Sequence, residues 1–359
     1  MAVTTSQAQR LASQFATAAA VVQGRRIGSG HVNDTFEVGD AAGRRYILQR
    51  LNTMVFRQPA VVMANIVKVT SALAARVADP RRRLSLVPTR AGEAWLAVED
   101  QCWRMYDFIA DSTELTPPAT LAQCAGVGQA FGEFMLELAS LPGEGLQVTI
   151  PDFHNEPHYL ARLKAAVAAD RVGRVSQVPS EIESLLAYET VSHDFDNTAM
   201  PLRITHNDAK ASNVLFDTTT GQPLAVIDLD TIQPGFVVND FGDIIRSCAT
   251  TATEDELDLD AVHFSPARFE ACTRAYLAAC HSVLTGSELA HLRHGARLMT
   301  LETSVRFLTD YLEGDIYYRT AHPGHNLERA RNQAKLLADL DRHWDWMGEV
   351  IEAAIPRTD

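Results

Sequence analysis

Residues 203–230 constrain this chain more tightly than any other stretch. They read Arg203-Ile-Thr-His206-Asn-Asp208-Ala-Lys210-Ala-Ser-Asn213-Val-Leu-Phe, a turn, then Ala-Val-Ile-Asp228-Leu-Asp230. Two short apolar and β-branched runs, 213–216 and 224–227, flank Asp217-Thr-Thr-Thr-Gly221, whose Asp and Gly suit a hairpin turn. A hairpin there holds Asp208 and Asn213 just before its first strand and Asp228 just after its second. Three oxygen-bearing side chains that are distant in sequence then converge on one point.

Phosphoryl transfer needs such a point. One carboxylate orients an attacking hydroxyl and takes its proton, while further oxygens hold Mg2+ on the phosphates. The order His206-x-Asp208-x-Lys210-x-x-Asn213 has the spacing of a kinase catalytic loop. A strand ending in Asp228 follows at the right distance, which a mere polar loop between helices would not supply. Asp208 is therefore the candidate catalytic carboxylate, and Asn213 and Asp228 are the candidate Mg2+ ligands. A literal Asp240-Phe241-Gly242 lies farther on, but it follows no strand and opens a helix. Asp240 there can cap backbone N–H groups and brace the catalytic loop.

A chain of 359 residues is large for one compact core and natural for two lobes that share a cleft. The 46% hydrophobic and 21% charged residues fit a globular enzyme. A net charge of −13 argues against nucleic-acid binding. No apolar run approaches the ~20 residues that span a bilayer, and the start lacks a basic-then-apolar signal, so no membrane partner is expected. Cysteines 102, 124, 248, 272 and 280 form no C-x-x-C pair, so the expected setting is a reducing cytoplasm.

In chain order, an alanine-rich helix over 8–20 precedes strands at 21–28 and 32–38, separated by Gly28-Ser29-Gly30-His31, and a third strand at 45–51. A G-x-G turn between strands is the form of a lid over nucleotide phosphates, because glycine lets backbone N–H groups approach phosphate oxygens. Gly28, Ser29 and Gly30 are the candidates, and Asn33 stands where protein kinases have a third glycine. Protein kinases also pair a third-strand lysine with a helix glutamate. This strand reads Tyr46-Ile-Leu-Gln49-Arg50-Leu51, and no Asp or Glu occurs from Ala41 through Val77, so that pair cannot form. Gln49 takes the lysine's place with an amide donor. The chain is not expected to be a protein kinase.

A helix over 58–78, a hairpin of 84–89 with 94–98, and a strand over 101–109 complete a small lobe. Asp111-Ser112 and Pro117-Pro118 mark a linker, which divides the chain into a nucleotide lobe at 1–112 and a catalytic and substrate lobe at 113–359. An adenine ring binds such a hinge through backbone groups. Tyr106, Asp107 and Phe108 are the candidates, with core packing an open alternative for both rings. Helical periodicity covers 121–140, 157–169, 180–191, 266–282, 288–311 and 326–346.

Several stretches are similar to one group of small-molecule kinases. They are Gly30-His31-Val-Asn33-Asp34, Tyr46-Ile-Leu-Gln49-Arg-Leu-Asn52, Thr205-His206-Asn-Asp208 through Asn213, and Ile227-Asp228-Leu-Asp230 through Gly235. Asn239-Asp240-Phe-Gly-Asp243 and Arg306-Phe-Leu-Thr-Asp310 through Tyr317 extend the likeness over nearly the whole chain, and the last is the most specific. Together they resemble the aminoglycoside phosphotransferase and choline kinase superfamily, and within it the bacterial N-acetylhexosamine 1-kinases, in which Gln49 also replaces the lysine. The resemblance implies an α+β, two-lobed protein-kinase-like fold, with a small β-rich N-terminal lobe and a larger, mainly helical C-terminal lobe. It implies transfer of the γ-phosphoryl group of ATP, with Mg2+, to the anomeric hydroxyl of N-acetylglucosamine or N-acetylgalactosamine. Asp208 would take the proton late, and Lys210 would neutralise the transferring group. His31, Arg306 and Tyr317 would contact the sugar.

Read from the residues alone, those three keep plain alternatives: a turn residue, a solvated helix charge and a packing ring. Ser247 departs from the family member compared, which has an aromatic there; a wider substrate site follows if the position lines the pocket. A kinase for another small hydroxyl compound would keep every catalytic residue, and Asp310, Glu313 and Asp315 could receive a cationic one. A nucleotide-binding regulator without turnover is the reading from another class. Retention of Asp208, Asn213 and Asp228 argues against it.

Overall fold

Strand alternation builds the small lobe around two different faces. The computed structural model describes residues 3–27, 33–115, 117–189 and 197–356, so the expected Gly28, Ser29, Gly30 and His31 turn lies outside the described residues. Strands β1 (Val21–Ile27), β2 (Asp34–Asp40), β3 (Arg45–Leu51), β4 (Leu96–Val98) and β5 (Gln101–Asp107) form an antiparallel sheet in the order β1-β2-β3-β5-β4. Phe36, Val38, Tyr46, Leu48, Trp103 and Met105 pack under Ala8, Ala12 and Phe15 on one face. By the two-residue period, Gln49 of β3 and Cys102, Arg104 and Tyr106 of β5 turn to the opposite face. There Cys102 and Tyr106 join the core of helix α2 (Pro59–Arg76).

Helix α1 (Thr5–Ala12) is shorter than its alanine content predicts. Thr4 and Gln7 form a reciprocal capping box at its start. It stops where Phe15 turns into the core and bridges Thr89, a tertiary contact that outweighs local propensity. The hairpin expected from 84–89 and 94–98 does not form. Pro88 has no N–H to give to a ladder, so Leu86 and Thr89 make only isolated bridges, and β4 pairs with β5 instead.

After β5 the chain joins a second sheet, in which β6 (Ser112–Glu114) pairs with β8 (Val214–Asp217) and β8 with β9 (Pro223–Val226). The β8–β9 hairpin turns as its sequence demands: Asp217 accepts the N–H groups of Thr219 and Thr220, and Gly221 has φ 68°. A third pair joins β7 (Arg203–Thr205) to β10 (Gln233–Gly235).

The large lobe is helical: α3 (Leu121–Leu138), α4 (Glu156–Ala169), α5 (Pro179–Leu186), α6 (Val237–Cys248), α7 (Pro266–Cys280), α8 (Gly286–Glu313), α9 (His325–Asp341) and α10 (Trp344–Ala354). The single helix expected over 326–346 is two. His343 leaves helical geometry at the junction and packs against Phe264, 5.1 Å between rings. Helices α6 and α8 cross backbone to backbone: a Cβ on Gly295 would lie 1.8 Å from the carbonyl oxygen of Val238. One core runs from α2 through α3, α6 and α7, and a second joins α4, α5, α8 and α9. The architecture is α+β, with a small antiparallel sheet lobe and a larger helical lobe. All five cysteines are free and buried, and no described helix is long and apolar enough to cross a membrane.

Candidate active site

The loop between β7 and β8 is held by side chains that hydrogen-bond to backbone groups. Asp240, in the first turn of α6, does not cap its own helix. Its two carboxylate oxygens accept the backbone N–H groups of His206 and Asn207, each at 2.7 Å. Asn207 takes a left-handed backbone, φ 60°, which an Asn tolerates. Its side chain donates to the carbonyls of Thr205 and Thr231. His206 is fully buried between the edges of Phe131 and Phe134; its Nε2 donates to the Ile227 carbonyl at 2.9 Å, and its Nδ1 accepts the Asp208 N–H at 3.3 Å. Ser247 is tied to the same loop, where its hydroxyl accepts the Ala211 N–H at 3.0 Å.

This frame brings Asp208, Lys210 and Asn213 together. Lys210 Nζ lies 2.8 Å from Asp208 Oδ2, and Asn213 Nδ2 donates to the same oxygen at 3.0 Å. Burial raises the Asp208 pKa, but the Lys210 ammonium outweighs it and, with Asn213, holds the group at about 2. Asp208 is thus ionised at neutral pH. Asp228 follows β9 with φ 62°, and no described side chain hydrogen-bonds to it. Its outer edge meets solvent, yet the carboxyl is crowded within the cleft. Burial, then the charges of Asp230 and Asp208, push its pKa up to about 6.

The sequence reading missed Arg104. This β5 residue is 1% exposed, stands opposite Gln49 in the sheet register, and donates through Nε and Nη2 to Gln49 Oε1 at 3.0 and 2.8 Å. Its Nη1 pairs with Asp230. The amide of Gln49 donates to Thr35 at 3.3 Å, while its oxygen is the partner of the Arg104 cation. A signal was present: one Arg among Cys102, Trp103, Met105 and Tyr106, on the parity that faces the cleft.

At the hinge, the N–H groups of Asp107 and Phe108 donate to the Ser85 and Arg45 carbonyls, and Arg45 lies 3.6 Å over the Phe108 ring. Adenine recognition through either donor would require one of those bonds to break. Tyr106 is buried with the α2 core, the packing alternative for that ring. Arg306 is no solvated helix charge. It is boxed by Phe153, Tyr159, Tyr317 and Tyr318, with ring centroids 5.3–5.8 Å away, and pairs with Glu302 at 3.2 Å. Glu302 in turn holds His154 at 3.1 Å, whose Nε2 meets the Asn207 carbonyl at 3.0 Å. Tyr317 is 57% exposed beside this box.

Residues 23–272 match the phosphotransferase enzyme family. The chain belongs to that family. Solved structures similar to the phosphotransferase share its fold. A microcompartment-associated aminopropanol kinase is 16% identical, with a TM-score of 0.59 over 96% of this chain and 98% of that one. A spectinomycin phosphotransferase in complex with ADP and spectinomycin is 13% identical, with a TM-score of 0.59 over 96% and 99%. An amicoumacin kinase in complex with AMP-PNP, Ca2+ and Ami is 15% identical, with a TM-score of 0.57 over 87% of each chain.

The charge pattern of the phosphotransferase fits a divalent ion held jointly with nucleotide phosphates. Among the described residues, no three His, Cys, Asp or Glu side chains form a self-sufficient metal centre. Lys210 pairs with Asp208 and Arg104 with Asp230, while among the described residues Asp228 makes no direct ion pair. Mg2+ characteristically uses one or two carboxylates and takes its remaining ligands from phosphate and water.

Proposed function

We propose that the phosphotransferase moves the γ-phosphoryl group of ATP to the anomeric hydroxyl of a free N-acetylhexosamine, GlcNAc or GalNAc, releasing the sugar 1-phosphate. Transfer to a hydroxyl of a small molecule follows from the family. The choice of a neutral sugar rests on what surrounds Arg306. The acids that could receive a cationic acceptor are engaged by the protein itself. Asp310 accepts the N–H groups of Ile316, Tyr317 and Tyr318 and the Asn326 amide, Asp315 pairs with Arg174, and Glu313 pairs with Arg162. What remains at this end of α8 is a guanidinium among aromatic rings. That combination donates hydrogen bonds to hydroxyl and carbonyl oxygens and packs against sugar C–H faces, which suits a neutral, polyhydroxylated acceptor.

In the reaction, ionised Asp208 orients the acceptor hydroxyl and takes its proton as the bond to phosphorus forms. A carboxylate of pKa about 2 is a weak base, so the proton moves late. The hemiacetal hydroxyl, more acidic than an ordinary alcohol, suits that timing. Lys210 shares its charge between Asp208 and Asp228 and sits where negative charge must be balanced. Mg2+, held by Asp228 and Asn213, would supply further neutralisation of the phosphate oxygens. Asp240 and His206 keep Asp208 and its loop fixed throughout.

An ADP-release screen over GlcNAc, GalNAc, other free sugars, choline, an amino alcohol and an aminoglycoside tests this reading. Turnover should appear with the N-acetylhexosamines and be absent with their 1-O-methyl glycosides, which lack the nucleophile. The product should show phosphorus coupling to the anomeric proton in NMR. Turnover with cationic acceptors alone, or phosphorylation at O6, refutes the sugar assignment.

A further inference from the structure

We propose that Arg104 is a positioning residue that fixes the Asp228 turn for MgATP by holding Asp230 against the small-lobe sheet, in place of a strand lysine and helix glutamate pair. The inference rests on the ATP-dependent kinase reading above and is independent of the sugar.

Five observations converge on it. No Asp or Glu lies in the stretch 41–77, which includes α2, so a cation on β3 would find no partner there. The buried cation instead sits on the neighbouring strand, where the Gln49 oxygen accepts two of its N–H groups. Its third contact is Asp230, in the turn Leu229–Thr231 directly after Asp228. The other oxygen of Asp230 accepts from the side chain of Asn33, whose own oxygen accepts the Asn52 N–H at 2.9 Å. Both oxygens of Asp230 are thereby bound to the small lobe. Helix α2 repeats the attachment from behind, as buried Asn65 donates to the Ile232 carbonyl at 3.0 Å.

The consequence is a division of labour between two carboxylates two residues apart. Asp230 is neutralised and immobilised, so it is not a metal ligand. Asp228 is left unpaired at the cleft, on a backbone whose left-handed geometry depends on the turn that Asp230 anchors. Arginine is required, because one guanidinium must reach Gln49 and Asp230 at once and stay charged while buried. A lysine concentrates its donors on one nitrogen and lacks the planar fork that here spans Gln49 and Asp230.

Calorimetric titration of the full chain with ATP, with and without Mg2+, tests this for the unaltered protein, Arg104→Lys, and the double variant Arg104→Met with Asp230→Asn. The double variant removes both buried charges together, so its fold should survive where Arg104→Met alone would leave a buried carboxylate unpaired. Circular dichroism checks that fold. Arg104→Lys and the double variant should each bind MgATP about tenfold or more weakly, an energy in the range of a charged hydrogen bond, with metal-free ATP binding changed far less. Where turnover is measurable, KM for ATP should rise and KM for the acceptor should not. Wild-type MgATP affinity in the folded double variant overturns the inference, since Arg104 would then only balance a buried charge. An unaltered chain that binds no ATP fails the kinase reading itself, and this inference with it.

Discussion

Replacing Asp240 and replacing Asp228 should give opposite phenotypes, and the hydrogen-bond geometry sets their sizes. Asp240→Ala removes the acceptor of two backbone N–H groups, at 2.7 Å each, in a loop whose His206 is fully buried. A buried donor left unsatisfied costs about 1–3 kcal/mol, so the loss should be about 2–6 kcal/mol. Set against a total stability of roughly 5–15 kcal/mol, that is a large fraction. Asp240→Asn keeps one acceptor oxygen and turns an amide N–H2 toward the other donor, so it should lose at least half as much. Asp228→Ala removes a group with no described hydrogen-bond partner, whose pKa of about 6 reports burial and repulsion by Asp230 and Asp208. Stability should therefore hold or rise slightly, while Mg2+-dependent turnover is abolished. Thermal melts without nucleotide, paired with ADP release at saturating Mg2+, read both effects. A lower Tm for Asp228→Ala than for Asp240→Ala, together with residual turnover in the former, would refute the assignment of brace and metal ligand.

Asp208→Asn should lower kcat by about 10²–10⁴-fold with ATP affinity little changed, as measured by ADP release and nucleotide titration. Arg306→Ala should raise KM for the N-acetylhexosamine far more than KM for ATP; equal effects on both would mean the aromatic box serves only the fold. Burial lowers the His154 pKa but Glu302 outweighs it, and the group is held up at about 9 against 6.5 for a free imidazole. The stability that pair contributes is therefore full below pH 6.5 and is lost as pH rises toward 9. Urea midpoints should show the gap between the unaltered protein and His154→Gln narrowing over that interval.

The parts legible in the sequence were those whose chemistry is local or whose pattern is periodic. His206, Asp208, Lys210 and Asn213 lie within eight positions of one another, so their meeting follows from one loop and one strand. The β8–β9 hairpin was legible for the same reason, through Asp217 and Gly221. Where the reading failed, either a tertiary contact had overridden a local preference or one residue's backbone chemistry had outweighed its neighbours' pattern. Phe15 ended an alanine-rich helix, Pro88 denied a strand its ladder, and His343 broke a helix by packing on Phe264.

Arg104 shows why the electrostatics of the site could not be read along the chain. Its partners are Gln49 and Asp230, one 55 residues before it and the other 126 after. The absence of a lysine on β3 was visible, but an absence does not say where the replacement charge lies. Burial supplies the missing constraint: an Arg that is 1% exposed must have an anion within reach, because an unpaired buried charge is costlier than any local preference could offset. Once β5 is placed beside β3, the face shared with the catalytic hairpin offers, among the described residues, the carboxylates Asp228 and Asp230 to a residue of that parity. Of the two there, Asp230 has taken the cation and Asp228 has not. The pairing therefore settles which carboxylate remains open to the cleft, a distinction that the string Asp228-Leu-Asp230 leaves undecided.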